Sequence, residues 1–149
     1  MKIEEVAWDA PDAVLLRARQ RAEIAEVYGT TESEPGPPPT AADMVAFFVA
    51  YDAEGTAVGC GGLRGLDGAT GEVKRMYVAP DARGTGAAAR VLGAIEEWAR
   101  GRGWTRLRLE TGDRQPAAVR FYTRSGYVRI PNFGAYEGCA DSLCFERLL

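Results

Sequence analysis

The sequence predicts a mixed α/β fold, a sheet with helices on its faces built in the order β-α-β-β-β-α-β-α-β. Three observations carry the prediction. The run from Met44 to Tyr51 is strongly β-prone, and Glu54 with Gly55 turns it back into a second run, Ala57 to Leu66. Val73, Met76, Tyr77 and Val78 make a further short strand, which Pro80 ends because proline has no N–H to give a ladder. Gly84 and Gly86 then open a helix on which Ala88, Val91, Leu92, Ile95, Trp98 and Ala99 recur at helical spacing. A second unit of the same kind follows, a strand from Thr105 to Thr111 and a short helix opened by Pro116 and closed by Gly126.

The other elements fall into place around these. Ile3 to Val6 reads as a short strand. Asp9, Pro11 and Asp12 start a helix on which Val14, Leu15, Ala18, Ala22 and Ala25 form one apolar stripe, and it ends near Gly29. Thr30 to Thr40, with Pro35, Pro37, Pro38 and Pro39, is expected to be a mobile polar loop. Gly59, Gly61 and Gly62 in the hairpin's second strand suggest a bulge or a close backbone approach. The strand at 72–79 and the helix at 84–100 come next, with Gly101 and Gly103 after the helix, and a last strand runs from Asp141 to Leu148 behind the loop PNFGAYEG. There is no internal repeat and no heptad. A chain of 149 residues fits one domain, residues 1–149, around a single core.

Free amides at a helix N-terminus bind anions, through unpaired N–H groups and the positive end of the helix dipole. The turn from Arg83 to Ala89 is therefore a candidate phosphate cradle, and two strand–helix units in series make a candidate ligand cleft. These residues resemble the GNAT superfamily of acyl-CoA-dependent N-acetyltransferases, whose signature Q/R-x-x-G-x-G/A follows a strand ending in V-x-P. Arg83, Gly86 and Ala88 fill that pattern behind Val78 and Pro80. The later family motif, N-x-x-A-x-x-hydrophobic-Tyr-x-x-x-G-aromatic, is met by Ala118, Phe121, Tyr122, Gly126 and Tyr127, with Gln115 standing where Asn is usual. The resemblance spans nearly the whole chain.

Several expectations follow from it. The fold would be a mostly antiparallel sheet flanked by helices on both faces, and the cosubstrate acetyl-CoA, with no metal. Met76, Tyr77 and Val78 would present backbone groups to the thioester and pantetheine. Arg83, Gly84, Thr85, Gly86, Ala87, Ala88 and Ala89 would turn amides to the pyrophosphate, and Gln115 would make a polar contact near the pantetheine arm. Tyr122 would protonate, or hydrogen-bond, the departing thiolate.

Charge and cysteine content agree. Residues 1–73 hold 5 basic and 13 acidic side chains, whereas residues 74–129 hold 12 basic and 5 acidic ones. The basic half coincides with the anion-binding motifs and suits a polyanionic ligand, while a net charge of −3 argues against general nucleic-acid binding. No apolar run approaches the roughly 20 residues that span a bilayer, and the acidic start MKIEEVAWDAP is unlike a signal, so a soluble cytoplasmic protein, with no membrane partner, is expected. Cys60, Cys139 and Cys144 lack CxxC spacing and there is no histidine, so they read as buried thiols and not as a metal site, a disulfide framework or an activated nucleophile.

An amine acceptor with pKa about 10.4 is almost wholly protonated at neutral pH, so a positioned base helps, and without histidine a carboxylate is the natural choice. Glu72 lies six residues before Val78 on one strand, at the same parity, and that spacing resembles the general-base glutamate of histone-acetylating superfamily members. Arg64, Arg75, Phe133, Tyr136 and Glu137 are candidates to line the acceptor pocket. The acceptor itself, a small-molecule or peptide amine, is not selected by the sequence, and neither is a monomer over a homodimer. Two other readings stand beside the transferase: a GNAT-like CoA-binding protein without catalysis, and a dinucleotide site in which Gly84, Gly86 and Ala89 fill G-x-G-x-x-G/A with Glu110 beyond. Pro80 and Asp81, between strand and first glycine, count against the second.

Overall fold

The computed structural model describes residues 1–149. Strand β1 (Lys2–Glu5) leads to helix α1 (Pro11–Tyr28), then to β2 (Met44–Tyr51), β3 (Ala57–Gly65) and β4 (Thr70–Val78). A single turn at Pro80–Ala82 introduces α2 (Ala87–Gly101), followed by β5 (Arg106–Gly112), α3 (Pro116–Arg124), β6 (Val128–Ile130) and β7 (Ser142–Leu148). No helix is long and apolar enough to cross a membrane.

Side chains on a strand alternate between faces, and β2 uses both. Ala46, Phe48 and Ala50 pack with Val91, Leu92 and Ile95 of α2 in the larger core, while Phe47 and Val49 pack with Ala13 and Leu16 of α1 on the opposite face. Helices therefore cover both faces, and β2, buried between them, reads as one continuous apolar run. Gly61 lets α2 lie close: a Cβ there would stand 3.0 Å from Val91 and 3.2 Å from Ile95. The close approach expected at the glycine run is present.

The seven strands are ordered β1-β2-β3-β4-β5-β7-β6, and only β4 and β5 are parallel. That pair is short. Thr70, Gly71 and Glu72 pair with Arg106, Leu107 and Arg108, and beyond them the strands part. A bulge coincides with the parting: β3 advances two residues from Cys60 to Gly62 while β4 advances three, from Tyr77 to Lys74. Within it Arg75 has φ of 62°, a left-handed conformation unusual outside glycine.

Three sequence expectations need correction. The stripe on α1 is out of phase, because Val14 and Leu15 are 47% and 45% exposed and the buried positions are Ala13 and Leu16. The inward face carries Arg17, Gln20 and Ile24, and it looks polar because its later turns roof a cleft instead of a core. The loop after α1 is pinned, since Glu34 is ion-paired to Lys74 and Arg75 of β4. Finally, β6 is a strand the sequence does not announce. Its three residues are largely exposed, too few for their alternation to stand out, and they exist as a strand only by pairing with Glu146, Phe145 and Cys144 of β7.

Candidate active site

The parting of β4 and β5 creates a slot that runs through the sheet. One end is a channel bounded by Met76, Tyr77 and Val78, by the turn into α2 and by the start of α3. Gly84 and Gly86 have φ of 82° and 89°, and a Cβ on either would meet nothing within 4 Å. No side chain caps α2, so the amides of Ala87, Ala88 and Ala89, which have no partner inside the helix, face the channel. Arg114 and Arg124 stand at its walls. Open glycines, uncapped amides and arginines fit the phosphates of a CoA-type ligand. Arg83 contributes differently from a bare amide: its Nε donates to the Val78 carbonyl at 3.0 Å and its Nη2 to Glu23 of α1 at 2.7 Å. Thr85 turns away, donating its hydroxyl to the Ala82 carbonyl, and is not part of the channel wall.

The other end is a more polar cavity that includes Glu34, Lys74, Arg75, Glu110 and Ser142. Gln20, Gln115 and Tyr122 border both spaces, so they mark the point where the two meet. Gln20 Nε2 donates to the Met76 carbonyl at 2.8 Å, which leaves its buried Oε1 without a partner. An orphaned acceptor costs free energy unless a donor arrives, so this oxygen suits an N–H or O–H of a ligand. Glu110, on β5 where the slot has opened, accepts a hydrogen bond from Ser142 Oγ at 2.7 Å. Burial pushes its carboxyl above the usual range, the Glu34 and Glu72 charges add to that, and Ser142 and Lys74 offset part of it. Burial, with the Glu110 charge added, also raises Tyr122 well above the ordinary phenol range. Tyr122 therefore stays protonated.

Glu72 lies elsewhere. It is 1% exposed, takes Arg64 Nη2 at 2.9 Å on one oxygen and the Tyr136 hydroxyl at 2.6 Å on the other, and borders neither space. The same-parity argument fails at the bulge, which inserts one residue between Glu72 and Val78. Of the acceptor-pocket candidates, Arg75 lines the cavity, Arg64 and Tyr136 belong to the buried cluster around Glu72, and Phe133 and Glu137 lie outside. Lys74, Glu34, Gln20 and Glu110 were not singled out for this cavity by sequence. Three of them sit on elements whose facing depends on the bulge, the slot or the phase of α1. Cys60 is inert, its thiol pushed up to about 12 by burial, whereas Cys139 is only half-buried and touches the cavity.

Comparison with known proteins agrees with this geometry. The profile of the acetyltransferase (GNAT) family matches residues 11–127. An IAA acetyltransferase of Azospirillum brasilense is 40% identical over 103 residues, 68% of this chain and 67% of its own length. A crystal structure from Klebsiella pneumoniae, described provisionally as an acyl-CoA N-acyltransferase, superposes with a TM-score of 0.84 at 32% identity over 99% of this chain and 97% of that one. A GNAT acetyltransferase of Elizabethkingia anophelis, solved with acetyl-CoA bound, shares the fold with a TM-score of 0.70 at 17% identity, over 99% and 97% of the two chains.

Proposed function

We infer that this chain, which belongs to the acetyltransferase (GNAT) family, transfers an acetyl group from acetyl-CoA to a primary amine of a small molecule or peptide, by direct attack of the amine. The observation that carries this reading is that Tyr122 borders both the channel with the uncapped α2 terminus and the polar cavity. A donor thioester held in the channel would supply the activated acyl group. The turn from Gly84 to Ala89 would hold its phosphates, and Met76 to Val78, bent away from β5, would offer backbone groups along its arm.

Glu110 supports the role of base better than Glu72. A carboxylate raised by burial is a stronger proton acceptor near neutral pH, and Glu110 reaches the cavity where an amine would stand. It would take the ammonium proton, so that the neutral amine can attack. Tyr122, kept neutral, would donate its proton towards the departing sulfur. Glu72, pinned between Arg64 and Tyr136, would serve instead to hold Lys74 in place.

The test is thiol release from acetyl-CoA against a panel of amines. Amine-dependent release is expected for at least one class of primary amine. Release independent of every amine, or none at all with acetyl-CoA shown to bind, would refute the reading.

A further inference from the structure

Inside the polar cavity two cations meet one carboxylate, and the carboxylate comes from outside the sheet. Glu34, in the loop between α1 and β2, forks onto Arg75, with Oε2 to Nη1 at 2.7 Å and Oε1 to Nη2 at 2.9 Å. Lys74 Nζ donates to the same Oε2 at 2.7 Å. Neighbouring residues of a regular strand face opposite sides of the sheet, so Lys74 and Arg75 ought not to share a partner. The bulge and the left-handed backbone of Arg75 are what allow it. Lys74 is further fixed by Tyr136, whose hydroxyl accepts from Nζ at 2.9 Å and donates to Glu72 at 2.6 Å. With the side chains of Lys74 and Arg75 only 5% and 23% exposed, water screens the pair little, and a planar carboxylate matches the arginine fork.

Building on the acetyltransferase reading of this site, we propose that Lys74 and Arg75 are the subsite for a carboxylate on the acceptor, that Glu34 fills it between turnovers, and that the acceptor is an amino acid or short peptide. Glu34 belongs to a segment that pairs with no strand, so it can leave without breaking the sheet. An incoming carboxylate replaces it like for like and keeps both cations paired. The acceptor's amine then lies towards Glu110, which borders the same cavity. An amine without a carboxylate has to share the cavity with Glu34 and gains nothing from either cation, so the site favours acceptors that carry a carboxylate.

Calorimetry in the presence of CoA can compare N-acetyl amino acids with their primary amides, probes that mimic the product with and without the carboxylate and need no turnover. Across a panel, acids are expected to bind at least about tenfold more tightly than their amides. Arg75→Gln should abolish the preference, and Glu34→Gln should tighten the acids by about three- to tenfold, because the competing carboxylate is neutral. A panel in which no acid outbinds its amide overturns the proposal, and so does weaker acid binding in Glu34→Gln, which would make Glu34 part of the recognition surface. Acid preference without any acetyl transfer to the parent amino acids would leave the subsite standing and refute the transferase reading alone.

Discussion

Burial acts on Tyr122 and Glu110 in the same direction and suits both roles: the phenol keeps its proton to give, and the carboxyl holds one more tightly once taken. Tyr122→Phe, which removes only the hydroxyl, should leave acetyl-CoA affinity and Tm nearly unchanged while lowering kcat by on the order of 10 to 10³-fold. Wild-type rates would assign Tyr122 to packing. For Glu110 the sign is fixed by its raised pKa, since the basic form exists only above it. In wild type kcat/KM should therefore fall as pH drops through a value above the usual carboxylate range, and Glu110→Gln should lose activity at neutral pH and regain part of it at high pH, where free amine is abundant. Glu72→Gln should behave otherwise. It leaves Arg64 short of a buried partner, so thermal denaturation should show a loss of roughly 2–5 kcal/mol, with no rescue at high pH. The two glutamates were not separable by reading the chain, because the bulge that flips the parity of Glu72 depends on Arg75 adopting φ of 62°, a conformation its side chain does not advertise.

Elements were legible in proportion to how far their own residues specify them. Met44–Tyr51 has the bounds the sequence assigns, since an unbroken β-prone run bounded by turn residues leaves little choice. The helix after Pro11 was found but its phase was not, because the face that packs inward lays Arg17 over the Trp8 and Phe47 rings and turns Gln20 to the cleft, and hydrophobic periodicity reports only apolar side chains. The three-residue β6 depends wholly on its partner strand. The turn into α2 gives the clearest element-scale prediction. Gly86→Val places a β-branched side chain at φ of 89° and fills the open space before the helix amides. Affinity for acetyl-CoA should fall by at least about tenfold by calorimetry, beyond any effect of a stability loss of about 1–2 kcal/mol. Unchanged affinity would remove this turn from the cosubstrate site. The pinned loop has its own signature. Burial opposes ionisation of Glu34, but its hydrogen bonds and charges with Arg75 and Lys74 outweigh that and hold the carboxyl down at about 2, against 4.5 when free. A depressed acid stabilises above its free pKa and loses that contribution as pH falls towards its folded one. Glu34→Gln should therefore cost on the order of 1–3 kcal/mol at pH 7 and almost nothing near pH 2, as followed by denaturant titration.

For the whole molecule, a ligand that binds only the folded state raises Tm by mass action, so acetyl-CoA should stabilise the protein in a thermal-shift experiment and NADH should not. The mostly antiparallel sheet leaves no doubly wound half in which a dinucleotide would lie. Stabilisation by NADH alone would contradict the family's cosubstrate here. The divided sheet has a further consequence. Pairing between β4 and β5 ceases after Glu72 and Arg108, so the protein carries two strand edges facing each other in its interior, each with hydrogen-bonding backbone that no neighbouring strand satisfies. Such a molecule behaves as two plates joined along a short seam, with the least protected amides of its sheet interior along the gap. Deuterium exchange should thus be faster in 73–78 and 109–112 than in β2 or β3, and a bound cosubstrate, by supplying amide and carbonyl groups to the Met76–Val78 edge, should slow it there most, acting in effect as mortar laid along one side of the gap.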